Sequence, residues 1–487
     1  MKAKVLLLTP PYHCGVVESA GTWVPLSLVC AAGGLVKAGY EVEIYDAMSL
    51  FATHADIEEK IRRSRPDFVG CTAITATVND AILALASAKR VSSRIGTFLG
   101  GVHPTFMWKE ILEAPGSPVD FVVRGEGETT GPELLDRLIA GKTALDIPGV
   151  AGRDSEGAAV AGPLRPDAPD LDLLPAAWEL LDWKTYTFRP RPGSISAILS
   201  SSRGCEQACS FCSQQKFWGK HWRARSPESF LGELERLNRD FGVSIAMLAD
   251  ETPTVDRDRW RRILDLLIAR KPGVELMLET RAEDIVRDRE WMADMRRAGI
   301  VHIYIGVESQ SQKTLDLFKK DQKVETSREA IRLINEAGII SETAFVLGMP
   351  DETPESIRNT VRAALDYNPD MAFFMAIAPW PYSDLYKDVE PYIETRDYAD
   401  YNLVKAVVKP LAMTRAEVEK ELTGAFREFY MKRLQGLDKM PGEKRKYMMA
   451  VTRLLASHSY LKDQMKGLGG GKGMPESVRL ALLKDEK

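Results

Sequence analysis

Cysteine and histidine are both scarce in this chain, with six of each in 487 residues. Cys14, Cys30 and Cys71 stand alone far upstream, and the histidines are scattered. A disulfide framework is not expected, because nothing suggests secretion and three close cysteines cannot all pair with one another. An excess of positive charge is missing too. Lys and Arg number 65 against 69 Asp and Glu, a net charge of −4 that offers no field for nucleic acid. No uninterrupted apolar run is long enough to span a bilayer, so stable membrane insertion is not expected. The first eleven residues have the outline of a short signal peptide, but their apolar run breaks at Pro10-Pro11 and reads as a first buried strand. Hydrophobic content of 45% and charged content of 28% are ordinary for a globular protein of two to four domains.

Against that background one cluster stands out. Cys205, Cys209 and Cys212 form C-x-x-x-C-x-x-C, with Phe211 just before the last cysteine and Arg203-Gly204 just before the first. Three thiolates so placed can hold three irons of a [4Fe–4S] cube and leave the fourth iron open to a ligand. Two other readings remain at this point. A zinc site usually takes four ligands, for which His221 is near enough to be the fourth, and the thiols can also be simple buried groups. The motif and its flanks resemble the radical S-adenosylmethionine (SAM) superfamily. There the cluster binds SAM through its open iron and cleaves it to a 5′-deoxyadenosyl radical. A cytoplasmic location suits so oxygen-sensitive a group.

Residues 1–145 alternate strand and helix signals, which imply a doubly wound parallel sheet. Ligands of such sheets sit beyond the carboxyl ends of the strands. Residues 146–192, rich in Pro, Gly and Asp, read as a connector with short strand-like pieces such as Gly149-Val150-Ala151-Gly152. From residue 193 to 385 a second βα series begins, with strand candidates at Ile195–Ser200, Ile245–Leu248, Leu276–Thr280, His302–Ile305, Thr343–Leu347 and Met371–Ile377. Six units imply a partial barrel. Residues 386–487 turn helical and charged, with an amphipathic helix at Arg415–Leu434 and a flexible glycine stretch at Gly467–Gly473.

In the barrel the radical SAM resemblance implies a set of SAM contacts. Phe211 packs on adenine or the cluster. Asp250 and Glu251 take the place that commonly binds the SAM amino group, with a helix cap as the alternative. Arg281 matches the SAM carboxylate bidentately. Glu308, in a G-x-E-S element, faces ribose or the adenosyl end. Glu279 faces the same cavity unless it is simply solvated. Phe345 to Pro350 resembles the last family element, which contacts adenine mainly through backbone. No catalytic side chain is assigned.

The first domain resembles the cobalamin-binding Rossmann domain that precedes one branch of these enzymes. The resemblance rests on Thr9-Pro10-Pro11, Asp46, Thr72 to Thr75, Gly100 to His103 and Gly125 to Glu128. It implies cobalamin contacts from Pro10, Pro11, Asp46, Thr72, Thr75, Gly100, Gly101, His103, Gly125 and Glu126. The D-x-H-x-x-G motif, whose His coordinates cobalt from below, is absent, so no lower cobalt ligand is assigned. His103 is otherwise a helix cap or a hydrogen-bonded surface group, and the domain is otherwise a Rossmann fold without its ligand.

Longer stretches narrow the resemblance. Gly100 to Met107, Cys209 to Gln214, Lys216-Phe217-Trp218, Leu248 to Glu251, Pro379-Trp380-Pro381, Tyr401 to Val404, Ala412 to Arg415 and Phe429 to Lys432 resemble the anaerobic magnesium-protoporphyrin IX monomethyl ester oxidative cyclase family of bacteriochlorophyll synthesis. That family implies a tetrapyrrole substrate, formation of the isocyclic ring, and an electron donor of reductase, flavodoxin or ferredoxin type. A cobalamin-dependent radical SAM C-methyltransferase on another substrate fits the same motifs. The substrate is expected between the two domains, with Met371 to Met375 and Trp380 as an apolar wall or as plain core.

Overall fold

The computed structural model describes residues 2–14 and 20–458. The glycine stretch at Gly467–Gly473 lies outside the described residues. Two compact units result. The first contains Met1–His13, Val24–Thr185 and Asp397–Ala399; the second contains Cys14–Trp23, Tyr186–Arg396 and Asp400–Lys487.

The first unit is built on β1 (Lys4–Leu8), β2 (Glu41–Tyr45), β3 (Phe68–Thr72), β4 (Gly96–Gly100), β5 (Phe121–Val123), β6 (Val150–Arg153) and β7 (Ala159–Ala161). They form one sheet in the order β2-β1-β3-β4-β5-β6-β7. The first five strands are parallel, as the alternating strand and helix pattern predicts. The short apolar strands are buried on both faces, with one core around Leu6, Leu8, Val69 and Leu99 and another around Val5, Leu7, Val123 and Leu134. Helix Leu26–Lys37 follows β1 and helix His54–Ser64 follows β2, the latter started by a capping box of Thr53 and Asp56. Strand order reverses at β1, which has β2 on one side and β3 on the other. That switch point makes the carboxyl ends of β1 and β3 a natural crevice.

Residues 146–192 differ from the expected connector. Val150–Arg153 pairs antiparallel with β5, and Ala159–Ala161 pairs antiparallel with β6, extending the sheet by a hairpin. The chain up to Thr185 stays with this unit, with Ala177 N–H bonded to Val29 O at 3.1 Å. The physical reason is that β5 alone would leave an unpaired edge, and the hairpin covers it. The C-terminal region likewise is not one body, since Asp397–Ala399 returns to the first unit.

The second unit holds a six-stranded sheet in the order β15-β14-β13-β12-β11-β8, every neighbouring pair parallel. Its strands are β8 (Ile195–Leu199), β11 (Val243–Leu248), β12 (Glu275–Thr280), β13 (Ile300–Glu308), β14 (Ile340–Leu347) and β15 (Met371–Ala376). All six lie where the apolar runs predict, in sequence order around a partial barrel. A separate pair, β9 (Ser202–Arg203) and β10 (Arg223–Ala224), is antiparallel. Helix Arg415–Gln435 packs on β15. Tyr447, Met448 and Val451 of helix Gly442–His458 join Ile245, Met277, Val301 and Ile340 in a core at the amino-terminal part of the strands.

Candidate active site

The cysteine loop leaves β8 and is closed at its base by the β9–β10 pair, in which Ser202 faces Ala224 and Arg203 faces Arg223. Gly204 opens the loop at φ +93°, and a Cβ there would lie 1.8 Å from His221 O, so only glycine fits. Cys212 N–H bonds Cys209 O at 3.2 Å and Cys212 starts the short helix Ser213–Phe217. Ser210 anchors the middle of the loop by three bonds. Its N–H reaches Phe318 O at 2.8 Å, its Oγ reaches Leu317 O at 3.1 Å, and its carbonyl accepts Leu385 N–H at 2.9 Å. Phe211 packs against Phe318 with ring centroids 5.0 Å apart.

Burial pushes the Cys212 thiol up to about 12, against the pull of the backbone N–H groups of Gln215 and Gln214. Burial also raises Cys209, with Lys320 opposing. Such thiols lose their protons on metal binding, not before it. Among the described residues no three His, Cys, Asp or Glu side chains converge as they would on a single ion. In a cube each thiolate ligates its own iron. A donor set of three thiols on one braced loop fits the cluster.

Two residues expected to contact SAM are hydrogen-bonded to this loop. Asp250, at 2% exposed, accepts Ser201 N–H at 2.7 Å and the Ser201 and Ser202 hydroxyls at 2.6 Å each. Glu251 accepts Gly204 N–H at 2.9 Å and Trp218 Nε1–H at 2.7 Å. Burial raises both carboxyls, and these bonds pull them back down. Trp218, read from sequence as aromatic packing, therefore has a polar task. Thr252 Oγ1 lies 3.7 Å from Cys205 Sγ.

Beyond the loop the barrel strands present acid. Glu279, Tyr304 and Glu342 stand in register on β12, β13 and β14, and neighbours in a parallel ladder share a face. Burial and the Glu308 charge push the Glu279 carboxyl up to about 8. Glu308 ends β13 and forms an ion pair with Lys320 at 2.6 Å. Sequence reasoning missed Lys320, which lies twelve residues downstream and carries no local motif. Arg281 bonds Asp321 O and pairs with Glu283 at 3.3 Å. At the end of β14 the N–H groups of Gly348 and Met349, part of the expected adenine element, both donate to Glu352. Phe374 is core, stacked on Phe345 and touching Phe426 and Phe429.

In the first unit the residues singled out from sequence divide by burial. Asp46 is buried and accepts the Thr9 hydroxyl at 2.7 Å and Ser49 N–H at 3.2 Å, fixing the turn after β2. Thr75 and His103 are each 1% exposed and bond each other at 3.1 Å through Nδ1, with Tyr398 edge-on to the imidazole. Burial drops the His103 imidazole to about 4. His103 thus sits inside the first unit, bonded to Thr75. Pro10 is buried, while Pro11, Thr72, Gly100, Gly101, Gly125 and Glu126 are half-buried at the carboxyl ends of the strands. Glu126 accepts Ala168 N–H at 2.7 Å. Gly125 has φ +76° and open space where a Cβ would point, and Leu50, Phe51 and Ile74 are exposed on this edge. Open glycine backbone at a strand end lets a ligand approach the main chain closely.

Comparison with known proteins decides the assignment. Residues 199–364 match the Radical SAM superfamily and residues 12–135 match the B12 binding domain. The chain is 38% identical to the anaerobic magnesium-protoporphyrin IX monomethyl ester cyclase of Rubrivivax gelatinosus, over 92% of this chain and 82% of that protein. It is 37% identical to the protein of the same name from Cereibacter sphaeroides, over 88% of this chain and 71% of that one. The chain belongs to the B12-binding radical SAM enzymes. As in that family, its cofactors are a [4Fe–4S] cluster on Cys205, Cys209 and Cys212, SAM and cobalamin. This radical SAM enzyme shares its fold with the methyltransferase TsrM of Kitasatospora setae, solved with cobalamin and a [4Fe–4S] cluster. The TM-score is 0.65 at 20% identity, over 86% of this chain and 82% of that one. No helix among its described residues is long and apolar enough to cross a membrane.

Proposed function

We propose that this enzyme is an anaerobic oxidative cyclase that closes the isocyclic ring of magnesium-protoporphyrin IX monomethyl ester. The observation that carries the reading is its 38% identity, across nearly its whole length, to a protein of that name. When bound, the cluster, SAM and cobalamin supply electron transfer and hydrogen abstraction, the steps that protein side chains cannot perform.

The chain's own residues bind, orient and shield. Glu251, Asp250 and Ser210 keep the cysteine loop in one conformation. Phe211 covers one side of the SAM site, Arg281 meets the SAM carboxylate, and Glu308 accepts from its hydroxyl groups. Glu279, neutral at pH 7 because of its burial and the neighbouring Glu308 charge, donates or accepts without adding charge to the cavity. Pro11, Thr72, Gly100, Gly101, Gly125 and Glu126 approach cobalamin, and Pro10, Asp46, Thr75 and His103 support them from beneath. Reducing power comes from a reductase or a carrier of flavodoxin or ferredoxin type.

Anaerobic turnover of the reconstituted enzyme with magnesium-protoporphyrin IX monomethyl ester tests the reading. Divinyl protochlorophyllide is the expected product. SAM cleavage with no tetrapyrrole product would overturn it. S-adenosylhomocysteine formed together with 5′-deoxyadenosine would favour C-methylation instead.

A further inference from the structure

Lys320 occupies an unusual place for a lysine. Its side chain is 12% exposed and that of its partner Glu308 is 9% exposed. The ammonium donates to Glu308 Oε1 at 2.6 Å and to Gly306 O at 2.9 Å. The backbone is shaped around this contact. Glu308 sits at φ +60°, a conformation that costs any residue but glycine, and the β13–β14 register slips between Gly306 and Glu308. A Cβ at Gly306 would lie 2.2 Å from Glu308 Oε1 and 2.7 Å from Lys320 Nζ, so the pair fits only over glycine. Gln322 Nε2–H donates to the same Gly306 carbonyl at 3.2 Å, closing the turn from the other side.

The turn carrying Lys320 also holds the cysteine loop. Leu317 O and Phe318 O are the acceptors for Ser210, which lies between Cys209 and Cys212. Lys320 N–H bonds back to Leu315 O at 3.0 Å, which closes the turn. One short segment therefore ties the cluster ligands to the acidic wall of the barrel.

We propose that Lys320 is a positioning residue that holds Glu308 in its strained orientation and places a fixed positive charge beside the cysteine loop that carries the cluster, keeping the cluster easier to reduce. A positive charge favours the reduced, more negative form of a cluster, and in a buried setting the effect is weakly screened.

The test is an EPR-monitored redox titration of the anaerobically reconstituted holoenzyme without SAM, with iron counted per chain. Lys320→Met is expected to shift the reduction equilibrium about tenfold toward the oxidised cluster, which is about 59 mV more negative for one electron. Glu308→Gln is expected to shift it the other way. Lys320→Arg keeps the charge and is expected to keep the native potential. Opposite shifts from removing the two partners, with rescue by arginine, are the signature of charge and not of packing. A native potential in a fully loaded Lys320→Met variant overturns the proposal, as do shifts of the same sign in Lys320→Met and Glu308→Gln. Should Lys320→Met fail to hold the cluster, Glu308→Gln and Lys320→Arg decide: no rise in the first, or a fall in the second, also overturns it.

Discussion

The Glu251 carboxylate holds the backbone N–H of Gly204 at 2.9 Å, one residue ahead of the first cluster cysteine. Its other oxygen takes the Trp218 indole N–H, beyond the last cysteine. A single side chain thus clamps both ends of the ligand loop. Removing it leaves two donors without acceptors, at about 1–3 kcal/mol each when buried. Glu251→Ala is expected to lose iron to a chelator roughly tenfold faster or more, given a tenfold step per 1.4 kcal/mol, with unchanged far-UV circular dichroism. Native iron retention in that variant would refute the clamp.

Gly204 has neither the space nor the backbone conformation for another residue. Its φ is +93° and a Cβ would strike His221 O at 1.8 Å. Gly204→Ala is expected to open the β9–β10 base and prevent cluster assembly, read as loss of the iron–sulfur charge-transfer absorption after reconstitution. A fully loaded alanine variant would show that the loop has room to spare.

His103 makes the first unit sensitive to acid. Its imidazole titrates near 6.5 when unfolded and about 4 when folded, because burial opposes the charge. The unfolded chain therefore binds more protons between those values, and stability falls as pH drops from 6.5 toward 4. The full effect is about 3 kcal/mol at 1.36 kcal/mol per unit. Urea unfolding of the cobalamin-free protein should show a falling midpoint across that window, and His103→Gln should flatten it. Equal pH dependence in the two proteins would exclude His103 as the source.

Asp370 is 2% exposed on its side chain and pairs with Lys444 at 2.6 Å and Arg433 at 3.0 Å, while Ser341 N–H donates to it at 3.0 Å. It joins the last two described helices to the start of β14. Breaking a buried ion pair by removing one partner costs about 3–5 kcal/mol. Asp370→Asn is expected to lower the thermal midpoint by several degrees, and Asp370→Asn with Lys444→Met to recover part of the loss. No change in the single variant would mean the cluster is already solvated.

Much of the fold was legible because it rests on local periodicity. The strands at Lys4–Leu8 and Phe68–Thr72, and the six strands of the second unit, are short apolar runs that can only be buried. Helix Arg415–Gln435 was readable from its spacing, and a capping box of Thr414 and Glu417 starts it. The strand-like piece at 149–152 was readable, but its pairing into the hairpin of β6 and β7 was not. Its strands are four and three residues long, with Gly152 inside one of them, so they carry almost no periodic signal. The cysteines were legible because metal ligands on one loop must be close in sequence. The roles of Asp250 and Glu251 were not, because a carboxylate after a barrel strand looks the same whether it meets a ligand or a backbone N–H.

By itself the sequence determined the succession of parallel βα units, the trio of thiols and the chemistry they can hold, because each depends on residues within a few positions of one another. Tertiary structure alone decided which buried polar groups meet: Glu251 with Gly204 across 47 residues, Asp370 with Lys444 across 74, His103 with Tyr398 across 295. A buried charge or donor must find a partner. Which partner it finds is settled by the strand order and by the turns that bring distant chain together, and those contacts leave no periodic trace in the chain.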